Sequence, residues 1–348
     1  MTYIHPLDSC EPQLAEVVGG KANGLGSLMR EHLPVPPGFA IATHAYREFV
    51  AETGLASEVC ELLDGDDSID AQAHASERIR ELFEQRALAG ALRDEITSAY
   101  RQLGAPPVAV RSSAISEDAA EASFAGEHET FLWTQGEDAV CRAVLRCWAS
   151  LFTPQALAHF RRVDLRAHET AMGVVVQTMV AAASAGVMIT LDPVNGDRSQ
   201  VTIEGAFGLG ESVVAGEVTP DRYCVDKVTL EIRSRAISRK DLAYRFDPEA
   251  GEVRRVAVPD QQQELQCLSD DEVVELASLG KQIERSRDLP QDIEWAIGAG
   301  PSGARDLFLL QTRPETVWGR KLRELPASPA ASPLERIAQS LARPGTPT

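Results

Sequence analysis

The chain has 348 residues, 44% hydrophobic and 25% charged, enough to fill two packed subdomains and too apolar for a disordered or fibrous protein. Its 52 acidic residues against 34 basic ones give a net charge of −18. That balance argues against nucleic acid and against an anionic membrane surface, both of which call for clustered Lys and Arg.

The start, Met1 to Pro6, has neither a basic segment nor an apolar one, and no apolar run approaches the roughly 18 residues of a membrane span, so a cytoplasmic protein is expected. The first hundred residues carry helical patterning, broken by Pro34-Val35-Pro36-Pro37-Gly38, where each proline pushes its predecessor out of the α region. Val108-Ala109-Val110-Arg111 predicts a short strand opening into a Ser112-Ser113 turn. Gly173–Val180, Gly186–Thr190 and Val201–Ala206 are strand-like in their β-branched content and in the residues that bound them. Ser269 and Glu272 stand at capping-box spacing ahead of Val273, Leu276 and Ile283, which predicts a helix. Asp292–Ile297 and Asp306–Arg313 flank a Gly/Pro loop and predict a hairpin. These elements imply an α+β fold with a largely antiparallel sheet. After Trp318 the prolines at 326, 329, 333, 344 and 347 predict a linker or disordered tail over 319–348, with Leu334, Ile337 and Leu341 as the one candidate helix face. The six cysteines are scattered, with no C-x-x-C, and read as reduced core thiols.

Several familiar signatures fail. Gly20-Lys21 is no P-loop, because Ala15 stands where the first glycine belongs and Ala22 where Ser or Thr would hold magnesium. Gly208-Leu209-Gly210 lacks the third glycine of a dinucleotide fingerprint, Val213 standing there. His128-Glu129 and His168-Glu169 have Leu132 and Met172 where a zincin needs its second histidine. No G-x-S-x-G elbow is present.

Four segments place charge or glycine where packing alone does not ask for it. Val18–Gly26 is glycine-dense, leads into a helix and offers Lys21 to an anion. Arg111 ends a strand, where its guanidinium can face a phosphate with two donors or merely a surface carboxylate. Ala122–Phe131 has small residues between two phenylalanines, suited to a loop over phosphates or to an ordinary hairpin tip. In the last hairpin, alternation gathers Asp292 and Glu294 on one face and Gln311 with Arg313 on the facing strand. Oxygen donors of that kind suit Mg²⁺, and a solvated polar face is the alternative.

Gly19-Gly20-Lys21, Val35–Phe39, Val110–Ser113, Ala122–Phe131, Val176–Val180, Gly208–Glu211, Thr219–Tyr223, Asp292–Trp295 and Gln311–Pro314 occur in this order. The ordered set resembles the PEP/pyruvate-binding domain shared by phosphoenolpyruvate synthase, pyruvate phosphate dikinase and rifampicin phosphotransferase, over about residues 10–318. The resemblance implies an ATP-grasp fold with an N-terminal subdomain over 1–180, a C-terminal subdomain over 181–318 and the nucleotide in the cleft between them. It implies that Lys21 and Arg111 hold ATP phosphates, that Gly126 and Thr130 belong to a phosphate-covering loop, and that Gln177, Met179 and Val180 meet the adenine. Glu211 would join the nucleotide contacts, Glu294 and Gln311 would bind Mg²⁺, and Arg313 would sit at the transferred phosphoryl group. Lys21, Arg111 and Arg313 are thereby the expected catalytic residues.

The family's chemistry splits ATP to AMP and phosphate, the β-phosphoryl passing to a histidine in a Gly-Gly-x-Thr-Ser-His context on a swivelling domain. None of the seven histidines here (His5, His32, His44, His74, His128, His159, His168) has that context. The expectation is therefore the ATP-binding subunit of a split phosphotransferase, with the phosphohistidine and acceptor domains on a partner protein. That layout resembles phenylphosphate synthase, and an excised domain of phosphoenolpyruvate synthase or rifampicin phosphotransferase would look alike. A non-catalytic nucleotide sensor and an ADP-forming carboxylate–amine ligase are the readings of other classes.

Overall fold

Prolines 34, 36 and 37 keep the chain extended ahead of the strand β2 (Gly38–Ile41), which pairs with β1 (Ile4–Pro6) at one edge of a five-stranded sheet. The computed structural model describes residues 2–63, 68–114, 129–157, 171–299 and 305–318. The sheet's order is β1-β2-β5-β3-β4, with β3 at Val108–Ala114, β4 at Thr130–Thr134 and β5 at Met172–Thr178. Every pairing in it is antiparallel. Ser112 and Ser113, expected to begin a turn, continue β3, because their backbone pairs in register with Val174 and Gly173.

Strand alternation splits this sheet into two faces. Val108, Val110, Val174 and Val176 point into a core built with α3 (Thr43–Glu52), α4 (Leu55–Leu63), α5 (Ile69–Glu84), α6 (Gly90–Gln102) and α7 (Glu137–Ala149). Tyr46, Phe49 and Phe83 meet Trp148 and Phe152 there in tilted, stacked and edge-on pairs. The opposite face, which carries Ala40 and Val175, receives Val18 of α1 (Ala15–Val18) and Ala22 and Leu25 of α2 (Gly20–Arg30).

A second sheet of six strands has the order β13-β12-β6-β7-β8-β9. Its members are β6 (Ala182–Ile189), β7 (Gln200–Phe207), β8 (Asp221–Asp226), β9 (Ile232–Ala236), β12 (Gln291–Ala299) and β13 (Arg305–Pro314). One face is sealed by helix Asp270–Arg287, whose Val273, Leu276, Ala277 and Ile283 pack on Met188, Ile203, Trp295 and Leu309. That helix starts as its sequence dictates. Ser269 Oγ accepts from the Glu272 N–H and the Glu272 carboxylate accepts from the Ser269 N–H. A separate hairpin, β10 (Leu242–Asp247) with β11 (Glu252–Ala257), stands off this sheet.

Three residues, Met179 to Ala181, carry the chain from β5 to β6 and so from one sheet to the other. The helix α2 spans the same gap, since Leu28 lies in the second sheet's core while Ala22 and Leu25 lie in the first. Its glycines make this bridging possible. Gly19, at φ +84°, lies so close to β3 that a Cβ there would stand 2.0 Å from the Ser113 carbonyl oxygen. On Gly24 a Cβ would come within 2.9 Å of the Thr312 carbonyl oxygen in β13.

Candidate functional site

Between the two sheets, beside the Met179–Ala181 connection, lies a cleft of about 690 Å³. The first sheet contributes Ala109 and Arg111 from β3, Thr130 and Leu132 from β4, and Gln177 and Thr178 from β5. The second contributes Ala185, Gly186, Glu294, Gln311 and Arg313, and α2 adds Lys21 from its first turn. Ten of the expected site residues, Lys21, Arg111, Thr130, Gln177, Met179, Val180, Glu211, Glu294, Gln311 and Arg313, therefore line one cavity. Gly126 lies outside the described residues, as does most of its expected loop. So does the tail from 319 onward.

The centre of the cleft is a contact between the sheets. Glu294 and Gln311 sit directly opposite each other in the β12–β13 ladder. The guanidinium of Arg111 reaches across, Nη2 donating to Glu294 Oε2 at 2.7 Å and to Gln311 Oε1 at 2.9 Å, and Nη1 to the Leu310 carbonyl at 3.0 Å. That carbonyl is available because the ladder shifts register at this point, leaving Leu310 as an extra residue between Leu309 and Gln311. Bulges of this kind re-aim groups beside active sites. Arg111 Nε is buried and has no acceptor among the described residues.

The guanidinium that bonds Glu294 and Gln311 is that of Arg111 on the other sheet. Arg313 folds onto Asp292, its direct cross-strand neighbour, with Nε at 2.9 Å and Nη2 at 2.7 Å from Oδ2, and half of its side chain stays exposed. Both arginines still wall the cleft.

Burial pushes the Glu294 carboxyl up, yet it titrates below its ordinary value because the charge and hydrogen bond of Arg111, then Lys21 and Arg313, outweigh burial. Lys21 Nζ donates to the Ser112 carbonyl at 3.0 Å, which draws the ammonium alongside β3. At the far end Glu211 behaves in the opposite sense: burial, and then the charge of Glu217, raise its carboxyl. Glu217 in turn accepts from the Tyr244 hydroxyl at 3.0 and 3.1 Å.

The end beside the Met179–Ala181 connection is apolar, walled by Met179, Val180, Ala185, Leu209 and Val214. Buried Gln177 donates Nε2 to the Pro36 carbonyl at 3.3 Å, and the Met179 N–H is held by the Pro107 carbonyl. The Oγ1 of Thr178 is buried without a partner among the described residues. Leu132, Thr178, Glu217 and Tyr244 are wall residues that sequence reasoning did not single out. Thr178 was open to notice, lying inside a quoted motif, whereas Tyr244 sits in a strand that no periodicity announces.

An apolar end and a charged centre can hold a heterocycle and an anion. Glu294 and Gln311 together offer only oxygen donors, which fits a hard cation that draws its remaining ligands from water and phosphate. Among the described residues no cluster of three or more His, Cys, Asp or Glu side chains offers an all-protein metal cage. Among them also, no helix is long and apolar enough to cross a membrane.

Comparison with known proteins now adds to this geometry. Residues 15–331 match the family described as pyruvate phosphate dikinase, AMP/ATP-binding domain. Phosphoenolpyruvate synthase of Aeropyrum pernix is 42% identical over 93% of this chain and 43% of its own length. A probable phosphoenolpyruvate synthase of Methanocaldococcus jannaschii is 42% identical over 91% of this chain and 27% of its own. The chain thus spans less than half the length of these relatives. A solved structure, Ca. Korarchaeum cryptofilum ACD1 in complex with coenzyme A, aligns over 69% of this chain and 89% of that one at 10% identity, with a TM-score of 0.31 that carries no argument.

Proposed function

Because the chain belongs to the AMP/ATP-binding domain family of pyruvate phosphate dikinase, we propose that it is an ATP-grasp phosphotransferase component holding Mg·ATP in the cleft between subdomains 1–180 and 181–318. The base lies in the apolar slot by Gln177, Met179 and Val180, with Glu211 among the nucleotide contacts. The phosphates lie toward Lys21 and Arg111, with Thr130 beside them in the wall; the expected loop residue Thr130 is in fact the first residue of β4, in register with Arg111. Glu294 and Gln311 hold the magnesium ion, which when bound neutralises phosphate charge, and Arg313 faces the phosphoryl group in transit.

The observation that carries this reading is the reach of Arg111 from one sheet to paired oxygen donors on the other. A guanidinium that already bridges both walls has only a short way to turn to a phosphate between them. Its buried, unpartnered Nε supplies one more donor for a phosphate oxygen. Phosphoryl transfer asks for positioning and charge neutralisation rather than covalent chemistry from the wall residues, and cations lining the cleft supply both.

The full reaction is the family's: ATP and water give AMP and phosphate, with the β-phosphoryl left on a histidine of a partner domain. Division of these parts between polypeptides, with phenol as the acceptor, is the finer form of the proposal. An AMP-forming enzyme with pyruvate as acceptor accords with the named relatives. The nucleotide is common to both forms, so the test belongs to it. Mg·ATP should raise the melting temperature of the purified chain, since a ligand that binds only the native state at 100 times its Kd adds about 2.7 kcal/mol. An unchanged melting temperature at saturating Mg·ATP would refute the site.

A further inference from the structure

The edge strand β4 carries an irregularity that the nucleotide reading leaves unused. Val108 pairs with Thr134 and Val110 with Phe131, so the two residues Leu132 and Trp133 stand opposite Ala109 alone. Trp133 sits in the left-handed region at φ 54°, an uncommon and costly place for a bulky side chain. Its indole Nε1 is also buried without a partner among the described residues. This bulge turns Leu132 into the cleft and sends Trp133 out beyond it, flat against Phe246 of β10, with ring centroids 4.3 Å apart and 10° between planes.

Phe246 is the outer end of a three-step ladder on one face of β10. Leu242 is rooted in the second sheet's body with Ala206 and Val218. Tyr244 walls the cleft, its carbonyl accepting from the Leu209 N–H at 2.9 Å. Phe246 crosses to the other sheet. The root is rigid: two residues before β10, fully buried Lys240 pairs with fully buried Asp221 at 2.5 Å, and Asp221 also accepts from the N–H groups of Ser238 and Cys267.

We infer that the hairpin β10–β11 is a strap across the base end of the cleft, latched by Trp133 on Phe246, and that parting of this stack admits and releases the nucleotide. The inference rests on the nucleotide reading above for its ligand, but not for the closure itself. Backbone strain and an unpaired indole at the latch make it a contact that opens at low cost, while the ion pair at the root keeps the hairpin aligned for reclosing.

The test uses the full chain as wild type, Phe246→Ala, Phe246→Tyr and Trp133→Gly, the last of which suits the left-handed backbone. Small-angle scattering of the nucleotide-free proteins reads lobe separation, and stopped-flow displacement of a fluorescent ATP analogue reads release. Phe246→Ala and Trp133→Gly should both increase the radius of gyration and speed release by about three- to tenfold, the range an aromatic pair sustains. Phe246→Tyr, which keeps the stack, should behave as wild type. Unchanged lobe separation and unchanged release in both stack-breaking variants would overturn the strap. If the chain opens as described yet takes up no nucleotide, the strap stands and the nucleotide reading falls.

Discussion

Arg111 does two things that a single alanine substitution would confuse. Its guanidinium is the proposed phosphate ligand and is also the tie to Glu294, with 12% and 30% of the two side chains exposed. Arg111→Ala therefore loses stability as well as activity, by less than the roughly 3–5 kcal/mol of a fully buried broken pair because Glu294 keeps some solvent. Glu294 supplies the cleaner readout. Burial works to raise its carboxyl, and Arg111 is the first of the charges that hold it below the ordinary 4.5. A folded-state pKa that is depressed contributes stability that is complete above the ordinary value and is lost as the pH falls through the folded-state one. In Arg111→Ala the Glu294 pKa should move up, so the stability that this carboxylate loses on acidification should shrink or reverse and the gap to wild type should narrow as the pH falls, seen by carboxyl-carbon NMR titration and by urea melts between pH 3 and 6. Arg111→Lys should keep most of the Glu294 shift while losing the fork of donors, and so separate charge from geometry. A Glu294 titration indifferent to both changes would show that the pair does not set its charge.

At the scale of elements, α2 is the piece on which both lobes depend, and its glycines bear differently on that role. Gly19→Ala combines a positive-φ backbone with extended ψ that is essentially reserved for glycine, worth about 1–3 kcal/mol, with a collision against the Ser113 carbonyl that overpacking values put at roughly 1–3 kcal/mol more. Gly24→Ala meets the Thr312 carbonyl at 2.9 Å but gains about 0.8–1.0 kcal/mol of helix propensity, so the two effects nearly cancel. Chemical denaturation should rank Gly19→Ala as much the more damaging. Equal losses would mean that crowding, not backbone conformation, governs the helix start. The same element shows what sequence reading reaches. Glycine density and Lys21 were visible, but their reading as an anion loop gave the glycines to a ligand, whereas Gly19 and Gly24 serve close packing on β3 and β13. The capping box and the β12–β13 hairpin were legible because each is written in local spacing. Strands β9 to β11 were not, since exposed Arg233, Arg235, Arg245, Arg254 and Arg255 hide their alternation. Nor was the contact of Arg111 with Glu294, 183 residues away, because no periodicity links positions that only tertiary folding unites.

For the whole molecule, the proposed chemistry requires a phosphoryl carrier that the described cleft does not contain: no histidine lines it. Supplied with a partner bearing such a histidine, ATP labelled at the β-phosphorus should pass the label to the partner, and γ-label should appear as inorganic phosphate. Label settling on one of this chain's own seven histidines would overturn the division of labour. The tie between Arg111 and Glu294 has a further consequence, in time rather than in space. Ribosomes add about 5–20 residues per second, so Arg111 emerges on the order of ten seconds or more before the carboxylate that will neutralise it. During that interval the face of the first sheet that becomes the cleft wall has no second sheet to lean on, and α2, whose Leu28 belongs to the later core, lacks part of its packing. Long loops must close before such distant contacts repay them. The nascent first lobe thus waits, with a bare cation and an incompletely covered helix, for the last hairpin to be made.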